Sequence, residues 1–503
     1  MRQKIIQRLR GYASRYSFIR VIDKIIFYEI NSLSTYMGHE LAPNSSRMIN
    51  SELALLIGLW VDNINFEVEG WGKGLDESII SKIYNLMDDY HNTFLMDSYG
   101  NVHKEVAAYE GDGAFVWQFV DLAEIKYTES KDFLKEYCGY DIYAATSFFY
   151  KIQKEYLYRA AYVLDNRTFN DYESIGAIFQ YSSADLHTLL NNDEFQVLSR
   201  FSIVLGEKGN EEIKDISSIS NYSTHPVIKL PNGNYYIPNL YILAKAINES
   251  PYYWLKNSPN QKRLRILLGK SNEHIAYSLL RKCIDDNVYK GILIKKEHAK
   301  KEVTDIDAMF SIDNDVFVVQ VKSKKLTQPS ADGNEESIMT DFDQAVLSAY
   351  NQGLKSVDAL RLHDEYPNLS KYTSSINNPL YHIICITGDY FPTLSSTVYE
   401  HQQHNQKSEF PIVAMTMFDL ETITYFFEAS RLKDYLVYRE NCSRLMIYGD
   451  NEMFYLGKYI ALNTEPDEPV LSFGEILYRD YAVLVDYIIQ CAKADDISLI
   501  IAV

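Results

Sequence analysis

Two acids, a tight turn, and then a glutamine and a lysine two residues apart occupy the stretch Thr304 to Lys325, TDIDAMFSIDNDVFVVQVKSKK. Hard divalent cations take oxygen ligands, and hydrolysis of a phosphodiester builds charge on phosphoryl oxygens that a cation can neutralise. Asp307 has the chemistry of the principal metal ligand. Gln320 can add a neutral side-chain oxygen, and the carbonyl of Val321 another. Lys322 can orient or help deprotonate the attacking water and offset the developing negative charge. The expected cofactor is Mg or Mn.

A hairpin is what brings these groups together. Side chains two apart on a strand share a face, so Asp305 and Asp307 point together, as do Gln320 and Lys322. Phe317, Val319 and Val321 form an apolar surface on the other face, suited to packing on a helix. Asp313-Asn314 is good chemistry for a two-residue turn. With that turn the register sets Asp307 opposite Gln320 and Asp305 opposite Lys322, whereas a three-residue loop would separate them. The same residues can also make an ordinary hairpin whose acids and lysine are solvated or salt-bridged.

Asp307, twelve intervening residues and then Gln320-Val321-Lys322 resemble the PD-(D/E)xK nuclease superfamily, in the Gln form of the Mrr-like restriction nucleases. The resemblance spans roughly residues 262 to 430. It implies an αβββαβ core with the acid and the (E/Q)xK motif on adjacent strands, a metal-dependent nuclease activity, and nucleic acid as partner, DNA before RNA. An acid from the first helix is also implied. Glu273 matches that role, and reads equally as a surface acid in the first turn of a helix. A Gln or Lys from the second helix often lies near the site in such nucleases; Gln344 and Gln352 are the candidates, against a solvated polar face. Gln320 in place of a carboxylate lowers the ligand charge. The competing expectation is therefore a nuclease fold without catalysis, serving as a scaffold or partner-binding regulator.

Flanking segments supply the rest of such a core. SNEHIAYSLLRKCIDD, 271 to 286, puts Ile275, Leu279 and Cys283 at helical spacing with Ser271 as cap. Lys290 to Glu297 reads as a strand, and Ile338 to Ala359 as a helix on which Asp341, Ala345, Ser348 and Gln352 form one stripe. Leu380 to Thr387 and Phe410 to Phe418 read as buried strands. The expected fold class is α+β and multidomain. It comprises a largely α-helical region over 1–257 with a hairpin at 225–239, a restriction-endonuclease-like αβββαβ domain over 258–430, and an α-rich extension over 431–503.

At 503 residues the chain has the length for two or three domains. Its net charge of −19 disfavours a stand-alone nucleic-acid binder, yet residues 261–330 carry 14 Lys and Arg against 9 Asp and Glu. Lys324 and Lys325, with Lys295, Lys296, Lys300 and Lys301, bracket the motif and are expected to guide a phosphate backbone, the alternative being a solvated face. The acidic remainder suits a protein partner or a homo-oligomer formed through the helical region. Five widely separated cysteines form no CxxC pair, so neither a zinc site nor a disulfide framework is indicated. No segment is long and apolar enough to span a membrane, ELALLIGLW at 52–60 being too short, and the basic N-terminus lacks the apolar core of a secretory signal. A cytoplasmic location is expected. Gly269-Lys270-Ser271 lacks the leading glycine of a phosphate-binding loop, and His401 and His404 sit in a polar loop with no acid nearby.

Overall fold

The computed structural model describes residues 1–26, 48–62, 77–97, 114–165, 178–206, 213–284, 287–296, 301–332, 334–362, 364–391, 394–404, 408–449 and 451–463. Backbone contacts divide these into two units that meet in sequence at Gln261 and Lys262. Each is mixed α+β. Lys300, expected to guide a phosphate backbone, and residues 464–503 of the expected α-rich extension lie outside the described residues.

The first unit is mostly helical. Its elements include α1 (Arg2–Ala13), α2 (Asn50–Val61), α3 (Val116–Thr128) and α4 (Ile142–Asp165). The apolar run at 52–60 lies in α2, which is buried almost all round, as a helix apolar on every side must be. Next come β1 (Gln180–Tyr181), α5 (Ser183–Leu189), α6 (Asn192–Arg200), β2 (Ser202–Val204), β3 (Val227–Lys229), β4 (Tyr235–Tyr236) and α7 (Leu240–Leu255). Ser182 and Asn191 start α5 and α6 through reciprocal capping boxes with Asp185 and Glu194. The β3–β4 hairpin turns at Gly233, whose φ of 84° favours glycine. A four-stranded sheet in the order β1-β4-β3-β2 forms around that hairpin. The sequence offers no alternation long enough to reveal strands of two or three residues.

The second unit opens with α8 (Gln261–Ile284). This helix starts ten residues before the expected cap at Ser271, which is instead buried in mid-helix. The reason is a single apolar stripe, Leu264, Leu268, Ser271, Ile275 and Leu279, whose burial outweighs the roughly 1 kcal/mol cost of Gly269 within the helix. Strands β5 (Val288–Ile294), β6 (Thr304–Ile312) and β7 (Asp315–Lys322) follow as an antiparallel meander. Then come α9 (Glu335–Phe342), one π-helical turn at Asp343–Leu347, and α10 (Ser348–Arg361). β8 (Leu380–Thr387) runs parallel to β7; α11 (Leu394–His404) and β9 (Val413–Thr416) complete a five-stranded sheet in the order β5-β6-β7-β8-β9.

Three sequence expectations change here. The last strand is shorter than Phe410–Phe418, because Thr416 and Asp419 form a capping box that starts α12 (Met417–Phe426) inside the apolar run. His401 and His404 lie in the last turn of α11 and not in a loop. Residues 431–463 are no separate extension: α13 (Ala429–Arg444) and α14 (Glu452–Asn463) belong to the second unit. His382 on β8 binds Asp315 and Glu440, which fastens α13 to the sheet. The core lies between the sheet and the α9–α10 layer, where Ile306, Val316, Val318 and Ile383 meet Phe342, Val346, Ala349 and Val357.

Candidate active site

The turn at Asp313-Asn314 closes on the pair Ile312–Asp315, and the ladder continues in the expected register through Ala308–Val319. There it stops. Beyond that pair β6 bonds only to β5, through Ile306–Ile292, Asp305–Leu293 and Thr304–Ile294, while β7 bonds only to β8, through Gln320–Cys385 to Lys322–Thr387. The sheet forks one residue before Asp307 and Gln320 would have met. Backbone groups freed by a fork must find partners, since buried N–H and C=O groups are seldom left unpaired.

Side chains of the motif supply them. Asp307, 5% exposed, accepts the Val321 N–H through Oδ2 at 2.7 Å. Gln320, fully buried, donates Nε2 to the Asp305 carbonyl at 2.9 Å and to Ser356 Oγ at 3.4 Å. The N–H and C=O of one strand residue lie on the same edge, so the Val321 carbonyl also faces the fork. Lys322 reaches the α10 layer, where its Nζ donates to Gln352 Oε1 at 2.5 Å. Gln352 Nε2 in turn donates to Asp305 Oδ1 at 2.5 Å, so one amide links the lysine to the second acid.

Electrostatics bind Glu273 into the same cluster. Burial and the nearby Asp305 carboxylate raise its pKa, against the pull of Lys290, Lys322 and Lys270. Asp307 is pushed up to about 6 by burial, opposed by the Val321 N–H and by Lys322 and reinforced by Glu273 and Asp305. Three acids and one lysine thus share a field at the fork. Glu273 lies in the middle of α8, half-buried, which removes the reading of a surface acid in a helix's first turn.

The position of α8 is fixed one residue to the side of the chemistry. Asn272 donates Nδ2 to Ser323 Oγ at 2.7 Å, tying the residue before Glu273 to the residue after Lys322. Gly388 makes room for this bond: a Cβ there would stand 1.9 Å from Asn272 Nδ2.

Other expected residues lie elsewhere. Gln344 is exposed on the π turn, which interrupts the regular helical spacing between Asp341 and Gln352. Lys324 pairs with Asp341 at 2.9 Å and Lys325 with Asp389 at 3.0 Å, so both cations are engaged with carboxylates. Ser356, which accepts from Gln320 and donates to the Asp305 carbonyl at 3.3 Å, was not foreseen. Its spacing of four from Gln352 on one helix face is the signal that could have found it. Asn272 carries no signal in a helix expected to begin at Ser271, and its role appears only in the longer helix Gln261–Ile284.

The donor set fits a hard divalent cation. Among the described residues no three His, Cys, Asp or Glu side chains are gathered closely enough to hold a metal by themselves. A cation at the fork would need neutral oxygens as well. Gln320 Oε1 is buried without a hydrogen-bond partner, and such an orphaned acceptor is costly unless something else satisfies it. No protein-family model, curated protein or solved structure matches the chain.

Proposed function

We propose that the second unit is a metal-dependent nuclease of the PD-(D/E)xK type, hydrolysing phosphodiester bonds of DNA in the cytoplasm, as part of restriction or antiphage defence. The observation that carries this reading is the fork itself. Asp307, Val321 and Gln320 offer oxygens in one gap of the sheet, with Glu273 and Asp305 adding negative potential and Lys322 beside them.

Asp307, Gln320 Oε1 and the Val321 carbonyl would hold Mg or Mn, which supplies charge neutralisation for the phosphoryl oxygens. Glu273 is placed to extend the carboxylate set from α8. Lys322, held by Gln352, presents its ammonium to the attacking water and to the phosphate. Gln352 therefore positions the lysine and is not itself proposed to touch substrate. The relay from Lys322 through Gln352 to Asp305 holds the lysine in one direction, an arrangement that an ordinary exposed hairpin would not need.

The test incubates the full chain with supercoiled plasmid, linear duplex, single-stranded DNA and RNA, in Mg, Mn or EDTA. The account expects cleavage of DNA with metal, none with EDTA, and a fall of about 10²–10⁴-fold in Asp307→Ala and Lys322→Ala. Metal-independent cutting, or cutting that survives both substitutions, would refute it.

A further inference from the structure

We infer that the first unit holds a binding site for a small oxyanion-bearing ligand, built around Arg200 at the end of α6. The site is separate from the fork, and its existence does not depend on the nuclease reading.

Arg200 is half-buried, yet among the described residues it has neither an ion-pair partner nor a hydrogen-bond acceptor, and its Nε is buried with nothing to donate to. A guanidinium in this position is normally paired, because withdrawing a charge from water without compensation is expensive. Its plane is fixed by stacking on Trp254, with the guanidinium carbon 3.8 Å from the ring centre. Stacking leaves the edge of the guanidinium as a rigid fork of N–H donors, the geometry that matches carboxylate or phosphate oxygens two at a time.

The surroundings have the same polarity. Trp254 Nε1 and Tyr140 Oη are buried without hydrogen-bond partners, and Tyr140 is 1% exposed. Tyr140, Phe201 and Trp254 pack edge-on or tilted at 5.1–6.2 Å between ring centres, so these unpartnered donors and the guanidinium belong to one cluster. In three such groups an N–H or O–H lacks an acceptor; no orphaned carboxylate accompanies them.

A cavity of about 670 Å³ adjoins Arg200, within the roughly 300–1,000 Å³ range typical of small-molecule sites. Gly139, His187, Asn192, Gln196 and Ser199 line it with Arg200, and no Asp or Glu does, in a chain of net charge −19. His187 lies stacked on Phe195 at 4.2 Å, a flat wall beside the polar face of α6. An anion of mononucleotide size satisfies the charge of Arg200 and the volume together, while the buried Tyr140 and Trp254 lie behind the guanidinium and do not line the cavity.

The test is isothermal titration of the full chain with sodium phosphate, pyrophosphate and AMP, with succinate as the carboxylate arm and chloride as the ionic-strength control. The proposal expects saturable binding of at least one oxyanion probe. Arg200→Gln should weaken it at least tenfold, and Arg200→Lys should retain part. Because Arg200 also packs on Trp254, Gln196→Glu provides a second variant: residue 196 is exposed at the cavity wall, and an acid there should repel the anion tenfold or more while far-UV circular dichroism is unchanged. Preference for the phosphate probes over succinate identifies the anion. Absence of saturable binding by every probe, or unchanged affinity in Gln196→Glu and Arg200→Gln, would overturn the proposal, whatever the second unit does with DNA.

Discussion

Asp307 is asked to be both buried and charged, and burial wins enough to lift its pKa from 3.8 to about 6. The sign of the consequence follows directly. A native carboxyl that binds its proton more tightly than the unfolded one makes the protein less stable as pH rises from 3.8 towards 6, and the full cost persists above that. Asp307→Asn keeps an oxygen for the Val321 N–H and removes the charge. Its melting temperature should exceed that of wild type at pH 8, by on the order of 2–4 °C per kcal/mol recovered, and the gain should vanish as the pH is lowered below 4. A variant less stable than wild type at pH 8 would mean that the carboxylate is not strained by burial. At this scale type and spacing pick out Asp307, Gln320 and Lys322, the residues whose side chains take part in the hydrogen bonds at the fork. Ser356, Asn272 and the Lys322–Gln352–Asp305 relay were not legible, since which side chain answers another depends on how a helix is seated over a sheet.

Strand pairing was readable as far as turn chemistry dictates it. Asp313 takes the left-handed conformation, φ 55°, that short polar residues tolerate in a hairpin, and the five pairs that follow are those the turn implies. The fork beyond Ala308–Val319 was invisible, because local alternation continues through Asp307 and Gln320 as if the ladder did. The π turn was equally hidden: one added residue per turn leaves no mark on composition, yet it interrupts the helical spacing between Asp341 and Gln352. Packing between α8 and the strand ends gives the element-level prediction. Gly388→Ala sets a Cβ against Asn272, which must swing away from Ser323. Unfolding in denaturant should show a loss of about 1–3 kcal/mol. The double variant Asn272→Ala, Gly388→Ala should lose less than the two single effects combined, because removing the amide removes the clash. Strict additivity would place the strain elsewhere.

Over the whole molecule, backbone contacts divide the chain at Gln261 and Lys262, just after the polar stretch that follows α7. The C-terminal helices did not announce their attachment, since Glu440 and His382 lie 58 residues apart and pair only across the folded unit. Charge was legible only as a count. Four lysines of residues 261–330 are engaged with carboxylates, Lys295 with Glu302, Lys296 with Glu365, Lys324 with Asp341 and Lys325 with Asp389. Lys270, Lys290 and Lys322 are the cations whose field reaches Glu273 at the fork. No helix among the described residues is long and apolar enough to cross a membrane. The central claim, that the fork is a cation site, needs no knowledge of substrate or activator to be tested. Calorimetric titration of the full chain with Mn²⁺ at pH 7.5, beside Asp307→Asn and Glu273→Gln, measures it directly. Wild type should show one saturable site, abolished in Asp307→Asn and weakened in Glu273→Gln. The absence of a saturable site, or one that Asp307→Asn leaves intact, would contradict it.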